Sequence, residues 1–138
     1  MSACRNLDYD ESGLPRDEYL PCASEMIAAL DELAPQAEAT LQGTPGARAD
    51  GEATLRRVRT LFTLAGGRNL LERWRDRSLT DLNVDINNAL THYEAFYMVR
   101  VLDASHPLAA QSRDAAKTEL TAATRRHQEA RSLHRRMR

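Results

Sequence analysis

The stretch from Ser78 to Leu102, SLTDLNVDINNALTHYEAFYMVRVL, decides how the rest of the chain is read. Leu79, Leu82, Ile86, Leu90, Tyr93, Phe96, Tyr97 and Val101 recur at steps of three and four, which gathers them on one side of a helix. Met98, Val99 and Leu102 widen that stripe, so the segment is expected to touch neighbours on more than one side. Ser78 followed by Asp81 supplies a start signal, a hydroxyl for an orphan amide and a carboxylate at the positive end of the dipole. The competing reading makes Phe96 to Leu102, rich in β-formers, a short buried strand.

Working outward, Asp103 to Pro107 reads as a turn, because the residue before a proline avoids helical geometry. A last helix then runs from about Pro107 almost to the end, with Leu108, Ser112, Ala115, Ala116, Glu119, Leu120, Ala123, His127, Ala130, Leu133 and Met137 on one face. That face is thin. Past Thr124 it carries so little apolar surface that the end is expected to project or to need a partner. Upstream, Leu70, Leu71 and Trp74 predict a short helix over 68–76, preceded by a stop at Gly66-Gly67. Asp50 is read as the cap of a helix carrying Leu55, Val58, Leu61, Phe62 and Ala65. The first helix is expected to begin between Asp17 and Pro21. Pro35 would kink it near Asp31 or divide it in two. Residues 1–15 read as an irregular arm and 16–138 as one domain, an all-α compact bundle of four to five helices with a long C-terminal helix.

The 138 residues are 42% hydrophobic and 28% charged, which excludes collagen-like and disordered classes. No run approaches the roughly 18 apolar residues of a membrane span, and the acidic amino terminus does not resemble a signal peptide. No membrane association is expected, and the cytoplasm is the expected location. For Cys4 and Cys22 the favoured reading is then two unpaired thiols rather than a disulfide. Charge is graded along the chain. Residues 1–50 hold 3 basic and 10 acidic side chains, and residues 111–138 hold 8 and 3. The simplest consequence is attraction between the two ends of the fold.

Asp81, Asp85, Asn88 and His92 share the polar side of the central helix. Their spacing could form half of a metal site, but no second helix offers matching ligands, so no metal or cofactor is expected. A face of hydrogen-bonding groups for another protein fits better. Arg73, Trp74 and Arg77 are candidates to extend it, since arginine and tryptophan are enriched in binding hot spots; for Trp74, in phase with Leu70 and Leu71, core packing is the favoured reading over exposure. Asn83 and Asn87 flank the apolar stripe and are placed at its rim. Arg125, Arg126, Arg131, Arg135 and Arg136 form a basic tail that could neutralise phosphates, although cations near a helix carboxyl end are also favoured by the dipole alone. No nucleophile elbow or phosphate loop stands in the chain, so no enzyme activity is expected.

DRSLTDL at 76–82, HYEAF at 92–96 and LDASHPLAAQSRDAA at 102–116 resemble the small all-helical immunity proteins that bacteria use against type VI secretion toxins. The resemblance implies a protein that binds a toxin or effector and obstructs it, with no chemistry of its own. It carries no functional residues across, because the matched positions are caps and core. The expected function is therefore a protein-binding module of inhibitor or immunity type, with self-association through the thin last helix as a further possibility. The alternative is a nucleic-acid-associated regulator using the five tail arginines.

Overall fold

The computed structural model describes residues 2–4, 16–66 and 77–138. Four helices account for most of them: α1 (Arg16–Leu41), α2 (Ala47–Leu64), α3 (Arg77–Met98) and α4 (Ala109–Met137). No strand occurs among the described residues, so the β reading of the segment after Phe96 gives way to helix as far as Met98 and an irregular connection beyond it. The predicted short helix over 68–76, with Arg73 and Trp74, lies outside the described residues.

α1 is one helix, not two, and contains both Pro21 and Pro35. Each proline ring is tolerated because Pro21 sits in the second turn and both prolines are on exposed positions, where the freed carbonyl can reach water. The link to α2 turns tightly through Gly43 (φ 80°) and Gly46 (φ 79°), a left-handed conformation that side chains rarely adopt. That turn lets α2 begin at Ala47, ahead of the expected cap at Asp50, whose amide already donates to the Gly46 carbonyl at 3.1 Å. The α3–α4 turn follows the sequence reading. His106 N–H donates to the Asp103 carbonyl at 2.8 Å, and the Asp103 carboxylate accepts from the Ser105 amide at 3.3 Å.

The helices run alternately up and down. α3 packs most extensively against α4 and α1 against α2, while α2 and α4 lie on a diagonal and do not meet. Leu79, Leu82, Ile86, Leu90, Tyr93, Phe96 and Tyr97 of α3 are buried against Met26, Leu30 and Leu33 of α1 and Val58 and Phe62 of α2. Each such side chain contributes roughly 1.5–3 kcal/mol relative to exposure, which makes this shared core the main stabilising term. Val101 and Leu108, expected in the stripes, are instead exposed beyond the helix ends, and Met98, the last residue of α3, is exposed too.

Two sequence expectations are reversed at the N-terminal side. Cys4 and Cys22 form a disulfide, not two free thiols. Its geometry is prepared by Glu25, whose carboxylate accepts from the Ser2 hydroxyl at 3.1 Å and the Ala3 amide at 2.9 Å, laying residues 2–4 along α1. Asn83 is not at the rim but buried, where its side-chain oxygen accepts from the Tyr19 hydroxyl at 3.0 Å and joins α1 to α3. Asn87 does stay at the edge, half-buried beside Arg59.

α4 does not project past Thr124. Ala123, His127, Ala130, His134 and Met137 are all buried along it. Two polar contacts seat this half on α1. The His127 ring nitrogen Nε2 lies 2.7 Å from the Asp31 carboxylate, and His134 Nε2 lies 2.8 Å from the Ser24 hydroxyl. The contacting residues are seven apart on both helices, running in opposite directions, as two turns of an antiparallel pair require. Imidazoles thus do what apolar side chains were expected to do, and Arg16 closes the end by donating to the Met137 carbonyl at 3.2 Å.

Candidate functional site

The helical period sets α3 and α4 side by side with their polar edges facing one another. His92 Nδ1 meets the Glu119 carboxylate at 2.8 Å, and two turns away Arg126 reaches Asp85 at 4.0 Å. Glu129 receives Arg126 at 3.1 Å and Arg125 at 3.3 Å. Between these rungs and the ends of the helices opens a groove of about 660 Å³, with Asp81, Val84 and Asp85 on one wall and Arg125, Glu129 and Arg136 on the other.

Two groups predicted separately therefore converge. Asp81 and Asp85 come from the proposed partner-binding face, and Arg125 and Arg136 from the basic tail. Arg77 is exposed at the start of α3, and Asn88 is half-buried between Asp85 and His92. His92 belongs to the seam with α4 rather than to an open face, because Glu119 occupies it.

Electrostatics distinguish Asp85 from its neighbours. Burial raises its pKa above the usual carboxylate value; Glu129 and Asp81 push the same way, and Arg126 only partly opposes them. Asp81 stands one turn before it, exposed, with no ion-pair partner among the described residues. Like charges at this spacing destabilise a helix by about 0.2–0.5 kcal/mol. The groove thus holds negative charge that the fold does not fully compensate, flanked by the guanidinium groups of Arg125 and Arg136.

The remaining tail arginines are elsewhere. Arg131 pairs with Asp31 on the α1 side, and Arg135 lines a second groove there. The five arginines put forward for phosphate contact are split between two sides of α4 and form no continuous strip.

Sequence reasoning missed one constellation altogether. Tyr93 hydroxyl, His127 and Asp31 form a chain, with Tyr93 3.2 Å from His127 Nδ1 and Asp31 2.7 Å from Nε2. In the neutral tautomer Nε2–H donates to the carboxylate and Nδ1 accepts from the phenol. Burial lowers the His127 pKa against the raising influence of Asp31, and pushes Tyr93 up to about 12. A hydroxyl–imidazole–carboxylate chain suggests catalysis, but Tyr93 has no exposed surface and lines none of the grooves. Its role is to tie three helices together. His127 falls on the apolar stripe of α4, and that placement was the signal available in the sequence. Among the described residues no cluster of His, Cys, Asp and Glu is arranged to hold a metal, and no helix is long and apolar enough to cross a membrane.

Fold and groove together define an all-helical up-and-down bundle with a charged cleft between its last two helices. No protein-family model, no curated protein and no solved structure matches the chain.

Proposed function

We propose that the protein is a binding module that docks a partner protein across the α3–α4 groove, in the manner of an inhibitor or immunity protein. The observation that carries this reading is the incompletely compensated charge of that groove. Asp81 and Asp85 are held one turn apart at a cost in stability, in a groove whose other wall carries Arg125 and Arg136. A surface under no demand would drift toward a cheaper arrangement, whereas alternating acid and base suits a partner of complementary pattern, for which it speeds encounter and fixes orientation. The resemblance of the 76–82, 92–96 and 102–116 segments to immunity proteins supports a toxin or effector as that partner.

The disulfide bears on where the module works. Paired cysteines persist in oxidising compartments and are rare in a reducing cytoplasm, so the Cys4–Cys22 bond favours the former over the cytoplasm expected from sequence.

The test is site-specific photo-crosslinking in the native host. Crosslinkers replacing Asp81 and Arg136 should capture one and the same protein. A crosslinker at Arg56, exposed on α2, should not capture it, and Asp81→Lys with Arg136→Glu should abolish the complex. Equal capture from Arg56, or a complex indifferent to the double substitution, refutes the groove as the docking surface.

A further inference from the structure

We propose that a second groove, between α1 and the last turns of α4, is a binding site for the phosphoryl group of a small phosphomonoester. It lies on the opposite side of α4 from the partner-docking groove and does not depend on that reading.

The groove holds about 330 Å³ and is lined by Arg131, Arg135 and Arg138 of α4 together with His134, while α1 contributes Ser24 and Asp31. Arginines at 131, 135 and 138 succeed one another turn by turn along a single edge, an arrangement that repels itself within the helix. The helix dipole favours a cation at this end but does not require three directed into one concavity. Asp31 compensates Arg131, to which it is ion-paired, and also accepts from His127. Arg135 and Arg138 have no ion-pair partner among the described residues, so the groove carries two uncompensated positive charges.

Two charges ask for a dianion. A phosphomonoester carries about −1.5 to −2 at neutral pH with three strong acceptor oxygens, which match forked guanidinium donors better than a single carboxylate does. The opposite wall leaves space because Ala28 and Ser24 are small. Ser24 adds a hydroxyl to this wall while keeping its bond to His134, 2.8 Å away, because a hydroxyl can serve a second partner as well. The volume is at the low end of small-molecule sites, which suits one phosphoryl group and a modest organic body. A nucleic-acid backbone needs charges spaced along one track, and here the arginines of α4 are divided between two sides of the helix.

The experiment is titration of the full chain with phenyl phosphate, followed by isothermal calorimetry and by amide chemical shifts. Parallel titrations use inorganic phosphate and a short single-stranded oligonucleotide. Saturable one-to-one binding of phenyl phosphate is expected, with inorganic phosphate weaker and shifts centred on 131–138 and 24–31. Arg135→Gln with Arg138→Gln should weaken it at least tenfold; Arg56→Gln with Arg100→Gln, an equal loss of charge at exposed sites on α2 and after α3, should change it less than twofold. Circular dichroism confirms that each variant is folded, and the single variants replace the double if it is not. Equal weakening by both pairs, no saturation, or oligonucleotide binding that outcompetes phenyl phosphate and tightens with length would each overturn the assignment.

Discussion

Replacing Gly51 by alanine sets two known effects against each other, and the structure decides which wins. In the interior of a helix such as α2 the substitution normally stabilises by about 1 kcal/mol, because glycine loses more backbone freedom on folding. A Cβ at Gly51, however, would lie 1.8 Å from the Tyr97 hydroxyl oxygen and 2.6 Å from Cζ, well inside contact distance. Tyr97 is not free to withdraw. Its ring is buried, stands edge-on to Phe96 with centroids 4.9 Å apart, and lies under the Arg48 guanidinium, which also donates to the Tyr97 carbonyl. Displacing such a ring costs about 1–3 kcal/mol, so the net expectation is a loss of about 1 kcal/mol. Urea denaturation followed by far-ultraviolet circular dichroism measures it. Adding Tyr97→Leu should show a favourable coupling of at least about 1 kcal/mol in the double-mutant cycle, since the two alterations then relieve each other. If Gly51→Ala raised stability by its full helix-propensity gain, the close approach of α2 to Tyr97 would be wrong.

Asp85→Asn should stabilise the bundle at pH 7 while weakening the proposed complex. The raised pKa means that folding disfavours the charged carboxylate, so the wild-type deficit is present at neutral pH and fades as the pH falls through the carboxylate range; equal stabilities at pH 7 and pH 3.5 would contradict it. Reducing the Cys4–Cys22 bond, which closes a separation of 18 residues, should lower stability by about 3 kcal/mol, read as a drop in the urea midpoint with and without reductant. Acid should loosen α4. Burial lowers the pKa of His127 and of His134 below the ordinary 6.5, with Arg131 and Arg138 adding to it respectively and the Asp31 carboxylate and the Leu20 backbone opposing. Their contribution is then complete above pH 6.5 and is lost progressively below it. His127→Gln with His134→Gln should flatten that part of the stability profile even though the variant is weaker throughout.

The helices of this bundle were legible because α3 announces itself through a wide apolar stripe at regular spacing, and α1 and α2 repeat the pattern more weakly. The packing of α4 was not legible by the same rule. Its seam is made largely of alanine and histidine, and counting apolar side chains cannot tell a histidine that will meet a polar group of a neighbouring helix from one destined for water. Asn83 misled for the same reason, since only the arrival of Tyr19 from another helix makes its burial affordable. The disulfide was obscured because Cys4 approaches Cys22 through Ser2, Ala3 and Glu25, contacts with no periodic signature. Of the candidate binding residues, Asp81 and Asp85 were readable as a face. Their meeting with Arg125 and Arg136 needed the α3–α4 alignment, which no single segment encodes.

A smooth alanine seam gives two helices little reason to prefer one alignment over another shifted by a turn. The paired anchors of α4 remove that freedom. A slip of one turn, about 5.4 Å, would set His127 opposite Ile27 or Pro35 and His134 opposite Leu20 or Ala28, leaving two imidazoles sealed from water with no side chain to bond. The histidines therefore act as a vernier. They allow α4 one seat on α1, and with it they fix which acid faces which base across the cleft that α4 shares with α3.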